Sequence, residues 1–215
     1  MFRLISAVVV ALTLATASAY AGSYEDSLSA ARLGDAKQLE QLLKRGVDPN
    51  TVDEQGNTLL ILAAREGHAA TVDTILKFRP DVAQRNTAGD SALMMATLKG
   101  HEDIVARLLE AGAPVDHDGW TPLMYAAFEG RLGILERLIA RSADVNALAP
   151  NKSNALMLAA RNGHIDVVRR LLQTDVELEQ KNDAGYTADS WAHANGNTDV
   201  AELIRAERRR RSSRR

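Results

Sequence analysis

Histidine is the side chain best suited to acid–base or metal chemistry near neutral pH, and this 215-residue chain has five. Three of them, His68, His101 and His164, each directly follow a glycine, namely Gly67, Gly100 and Gly163. A residue that recurs in one local setting is scaffold, so these three are expected to brace turns and not to catalyse. His117 differs because Asp116 and Asp118 flank it, a trio that could hold a divalent ion, although three successive residues rarely converge on one metal. His101-Glu102 opens as a zinc-protease helix motif does, yet Val105 stands where the second ligand should be. There is no cysteine, which excludes a disulfide framework, a Cys-ligated zinc or iron–sulfur centre, and a thiol nucleophile. A Gly-x-Ser-x-Gly elbow, a phosphate loop and a dinucleotide fingerprint are also missing. These residues give no reason to expect an enzyme, a metal or a cofactor.

The elements that carry the histidines repeat. Gly34, Gly67, Gly100, Gly130, Gly163 and Gly196 are spaced by 33, 33, 30, 33 and 33 residues, and the short interval loses three residues between Gly112 and Gly119. A fixed period with one loop-sized deletion means stacked copies, each a turn, a short helix, a glycine stop and a second helix. Thr58, Ser91, Thr121, Asn154 and Thr187 stand where a side-chain oxygen can accept the orphan N–H groups of a first helix, and Pro122 takes a first helical position. Pairs such as Ala63/Ala64, Ala126/Ala127 and Ala159/Ala160 allow two helices close approach. The second helices carry apolar doublets such as Leu42/Leu43, Leu108/Leu109 and Leu171/Leu172 on one face, which no copy can bury alone. The boundaries read as 24–53, 54–86, 87–116, 117–149, 150–182 and 183–207, within a domain spanning 22–207.

On these residues the chain resembles the ankyrin repeats, whose pattern runs Gly-x-Thr-Pro-Leu-His-x-Ala-Ala-x-x-Gly-His and ends Leu-Leu-x-x-Gly-Ala-Asp-x-Asn. Residues 117–149 and 54–76 match best, and the likeness covers most of the chain. It implies an all-α solenoid of about six helix-turn-helix repeats with short β-turn fingers. Ile61, Met94, Met124 and Met157 replace the family His, which turns a polar turn contact into apolar packing. Lys152 stands where the fifth copy should have Gly, and Ser27 and Asp189 replace Leu in the terminal copies, where one side faces water.

The resemblance also implies a concave binding face, lined by the residues after the finger glycine and those before the stop glycine. Mapped onto this chain, and joined by nearby Tyr125, the candidate partner-binding residues are Leu98, Lys99, Trp120, Tyr125, Phe128, Glu129, Arg161 and Tyr186. Trp120 and Phe128 are the expected anchors, because aromatic rings bury much area at little entropic cost. The partner is therefore expected to be another protein, and the scaffold itself a monomer.

The two ends differ from the body. Arg3, an apolar or small run from Leu4 to Leu14, and small residues around Ala17–Ala21 read as a secretory signal over 1–21, cleaved after Ala19 or Ala21, with no membrane span remaining. Small ankyrin proteins with such a leader resemble periplasmic proteins of Gram-negative bacteria, so periplasm is expected, with secretion as the alternative. Residues 205–215 sum to +6, so removing them and Arg3 from the total of −2 leaves 22–204 at −9. The segment 208–215, with Arg208, Arg209, Arg210, Arg211, Arg214 and Arg215, is expected to be a disordered block that could tether the chain to anionic lipid or an acidic partner. Nucleic acid is disfavoured by export and by the acidic body.

Overall fold

A computed structural model describes residues 22–213, which contain twelve helices and no strand longer than an isolated bridge. Residues 1–21, which carry the expected leader, lie outside the described residues, as do Arg214 and Arg215. The chain divides after Ala92 into two compact units.

The first unit holds α1 (22–33), α2 (Ala36–Lys44), α3 (Leu59–Glu66) and α4 (Ala69–Lys77). Thr58 starts α3 by accepting the Ile61 N–H at 3.0 Å, and Asp35 does the same for Gln38 at the start of α2. From Leu59 to Ala64 every side chain of α3 is buried, whereas α2 buries only Leu39, Leu42 and Leu43. α3 is thus enclosed and apolar over its first six residues, while α2 is amphipathic. Antiparallel bridges pair Val52 with Thr58 and Arg85 with Ser91, which makes these two fingers minimal hairpins. Asp53 closes its finger by accepting the Gln55 and Asn57 N–H groups, and Arg32 reaches it at 2.8 Å. Burial works against the Asp53 charge, but the Asn57 and Arg32 donors outweigh it and hold the carboxyl below its usual range.

The second unit holds most of α5 (Ala92–Lys99), then α6 (Glu102–Glu110), α7 (Pro122–Phe128), α8 (Leu132–Ala140), α9 (Ala155–Arg161), α10 (Ile165–Leu172), α11 (Ala188–Ala194) and α12 (Thr198–Ser212). Thr121 and Asn154 cap α7 and α9, and the Ser190 hydroxyl accepts the Thr187 N–H at 2.8 Å as α11 begins. The apolar doublets sit as the period requires, with Val167, Val168, Leu171 and Leu172 of α10 all buried. Met94, Met124 and Met157 are each 1% exposed, so the position that the family pattern gives to His is here part of the core.

At His68, Arg131, His164 and Asn197 the residue after the stop glycine does more than brace its own turn. His164 Nε2 donates at 2.8 Å to the Phe128 carbonyl of the preceding copy, and His68 Nε2 donates at 2.9 Å to that of Arg32. Each ring lies over the earlier copy's bare glycine: a Cβ on Gly130 would come 2.6 Å from His164 Nδ1, and one on Gly34 would come 2.7 Å from His68 Nδ1. Arg131 fills the same place over Gly100 and Asn197 over Gly163, where Asn197 Nδ2 donates to the Arg161 carbonyl at 2.7 Å.

Candidate partner-binding site

Trp120 lies one residue before the Thr121 cap, so the turn that launches α7 also fixes where its indole sits. Tyr125 and Phe128 follow on α7. The Trp120 centroid is 5.1 Å from that of Tyr125 and 6.0 Å from that of Phe128, the second pair edge to face at 80°. Both separations lie in the range aromatic pairs prefer. Trp120 and Phe128 are half-buried and pack on a floor of Met124, Ala149 and Leu158, so they fill space between copies and still present part of each ring to solvent. The Phe128 carbonyl accepts from both Asn162 Nδ2 and His164 Nε2 at 2.8 Å, which ties this ring to the next copy.

A second aromatic group shares that floor. Trp191 packs against it, Tyr186 stacks on Trp191 at 6.3 Å and 11°, and the Arg161 guanidinium lies 5.0 Å from the centre of a Trp191 ring. Asn182 holds the Tyr186 N–H at 3.0 Å and leaves the residue 38% exposed. Trp191 was not among the expected residues. Its signal was register: Leu158 and Trp191 stand 33 and 66 positions beyond Tyr125. Of the other candidates, Glu129 caps the end of α7, 3.9 Å from Arg131, while half-buried Leu98 and exposed Lys99 end α5. His117 is engaged at both nitrogens, with the Asp118 carbonyl and with Met94 Sδ, each at 3.0 Å. Among the described residues, no three His, Asp or Glu side chains are grouped to hold a metal.

The arginine segment corrects an expectation. As far as Ser212 it is not a disordered block but the end of α12. Arg211 donates from Nη1 to the Val176 carbonyl and from Nη2 to those of Leu172 and Thr174, at 2.9, 2.9 and 3.0 Å, so it closes the C-terminal end of α10. Arg208 pairs with Asp189 and Glu179 at 2.6 Å each, and Arg205 meets the other Asp189 oxygen at 3.0 Å. Asp189, the departure from the family Leu, is therefore the buried acceptor for these arginines. Burial opposes its charge, but hydrogen bonds from Arg208, Thr187 and Arg205 prevail and hold it at about 2. Glu207 is likewise held at about 2 by Arg210, with Arg211 assisting. Repulsion among the arginines is offset by Glu207 within the helix and by acids and carbonyls that lie distant in sequence. Arg209 is exposed, while Arg214 and Arg215 are outside the described residues.

The comparisons with known proteins agree with this architecture. The family described as Ankyrin repeats (3 copies) matches residues 28–116, 71–149 and 133–210. The Ankyrin repeat and KH domain-containing protein mask-1 of Caenorhabditis elegans is 38% identical over 99 residues, covering 44% of this chain and 4% of that protein. The Putative ankyrin repeat protein YahD of Escherichia coli K12 is 28% identical over 166 residues, covering 75% of this chain and 66% of that one. Among solved structures, a chain of the complex between the predatory endopeptidase Bd0816 of Bdellovibrio bacteriovorus and immunity protein Bd3460 superposes with a TM-score of 0.76 at 28% identity, over 84% of this chain and 97% of that one. The human ASB11 ankyrin repeat domain gives a TM-score of 0.68 at 21% identity, over 83% and 96% of the two chains, a likeness of fold alone. With matches running from residue 28 to residue 210 and six helix pairs held at one period, this chain belongs to the ankyrin-repeat family.

Proposed function

We propose that this chain is an exported, non-catalytic scaffold that binds a client protein through the aromatic face of its fourth to sixth copies. The client is an enzyme held or restrained in the periplasm. One observation carries the reading: Trp120, Phe128 and Trp191 gather on one floor, Tyr186 stacks on Trp191, and all four rings stay partly open to solvent. The complex in which the Bdellovibrio neighbour occurs pairs an endopeptidase with an immunity protein, which favours an enzyme as client. The leader over 1–21 supports export.

The test is crosslinking capture from the exported fraction with the mature protein, with Trp120→Ala/Phe128→Ala, and with Arg209→Ser. The expected outcome is an enzyme lost with the aromatic pair and retained with Arg209→Ser, and Trp120→Ala alone should cost about 2 kcal/mol of affinity. Capture lost only in step with a lower melting temperature would defeat the reading. For export, mass spectrometry of the exported protein should find it beginning at Tyr20 or Gly22, and retention of Met1–Ala19 would defeat the assignment.

A further inference from the structure

The aromatic face adjoins an acidic edge. Gly119, which precedes Trp120, lines a hollow of about 400 Å³ together with Asp116, Asp118, Asp144, Ala147, Leu148 and His117, whose ring nitrogens are taken up by the Asp118 carbonyl and Met94 Sδ. Ala147 is common to this hollow and to the floor under Trp120 and Trp191. The acids are held in line by the fingers: Asp116 accepts the Asp144 N–H at 3.0 and 3.1 Å, and Asn146 bridges onward by accepting the Glu177 N–H and donating to the Asp175 carbonyl. Leu148 is 43% exposed beside them. Carboxylates next to partly open rings attract one kind of side chain, a long apolar stem that ends in a cation. The molecule already carries one such pairing, with its own Arg161 over Trp191.

Resting on the reading that this face binds a client, we infer that the segment it receives is cationic. A Lys or Arg head group sits among Asp116, Asp118 and Asp144 while its stem lies along Leu148 and Trp120. Residues 22–204 sum to −9 and the arginines from 205 onward bring 22–215 to −3, so the attraction for such a segment comes from the acids of these fingers and not from the net charge of the whole chain.

The experiment uses the mature protein and three fluorescein-labelled octapeptides that alternate Gly with Arg, Gln or Glu, followed by anisotropy at low and raised salt. The Arg peptide is expected to bind saturably and to weaken with salt, and the Gln and Glu peptides are expected not to bind. Binding should weaken by about tenfold in Asp116→Asn/Asp118→Asn/Asp144→Asn and in Trp120→Ala. Because Asp116 also supports a finger, Asp118→Asn alone serves as the fold-neutral variant and should weaken binding by about two- to threefold. Equal binding by the triple variant, or none by the wild type, overturns the inference. So does displacement by calcium where sodium of equal ionic strength has no effect, which would make the hollow an ion site. A captured client that depends on Trp120 but is not competed by the Arg peptide leaves the scaffold reading standing and removes this one.

Discussion

Lys152 has a φ of +62°, at the finger position where the other copies place Gly56, Gly89, Gly119 and Gly185. A side chain in that region crowds its own carbonyl, at about 1–2 kcal/mol. Its exposed ion pair with Asp183 at 2.9 Å returns little. Lys152→Gly should therefore stabilise the protein by about 0.5–1 kcal/mol in urea denaturation, once the extra freedom of the unfolded glycine is subtracted. Gly130→Ala should do the reverse, because φ is +70° and the new Cβ would meet the His164 ring. The strain and the disturbed bond to the Phe128 carbonyl together should cost about 2–3 kcal/mol, read by the same measurement. Asp189 makes a pH-dependent contribution. Its folded-state value of about 2 lies below the ordinary 3.8, so its stabilisation is complete above the ordinary value and disappears as pH falls toward 2. Melting temperatures recorded from neutral pH down to that range should fall less steeply for Asp189→Asn than for the wild type, and parallel curves would contradict the assignment.

Among the elements, α12 departs furthest from expectation, with 15 residues against seven to nine for those from α2 to α11. It outlasts the repeat because Arg208 and Arg211 are anchored on Asp189, Glu179 and the last carbonyls of α10. Arg211→Ala should strand those carbonyls, cost about 1–3 kcal/mol, and accelerate hydrogen exchange in α11 and α12. Arg209→Ala should change exchange by no more than about 0.5 kcal/mol, since that side chain is exposed. Helix pairs, caps and stop glycines were legible in the sequence because each follows from residues a few positions apart. The docking of the arginines was not, because its partners lie 16 to 39 residues away and become neighbours only after the copies stack. A charge count along the chain registers the repulsion and misses the acceptors.

For the molecule as a whole, the period revealed the architecture but only part of the face that uses it. Trp120 and Phe128 stood out because their positions need no aromatic ring for packing, whereas Trp191 sits in the register of Leu158, which is buried. Its interfacial character emerges from what gathers on it, Tyr186 on one side and Arg161 near its ring. Trp191→Leu should therefore retain the fold and weaken client capture, whereas Trp191→Ala should weaken both by opening a cavity, and circular-dichroism melts beside the capture assay separate the two.

The bare glycines lend themselves to one more conclusion. Gly34, Gly100, Gly130 and Gly163 present one socket, while the plug that enters it changes from His68 to Arg131, His164 and Asn197. At these four joints the socket is constant and only the plug varies, so the glycine is the side that admits no side chain, while the residue facing it is free to differ from copy to copy.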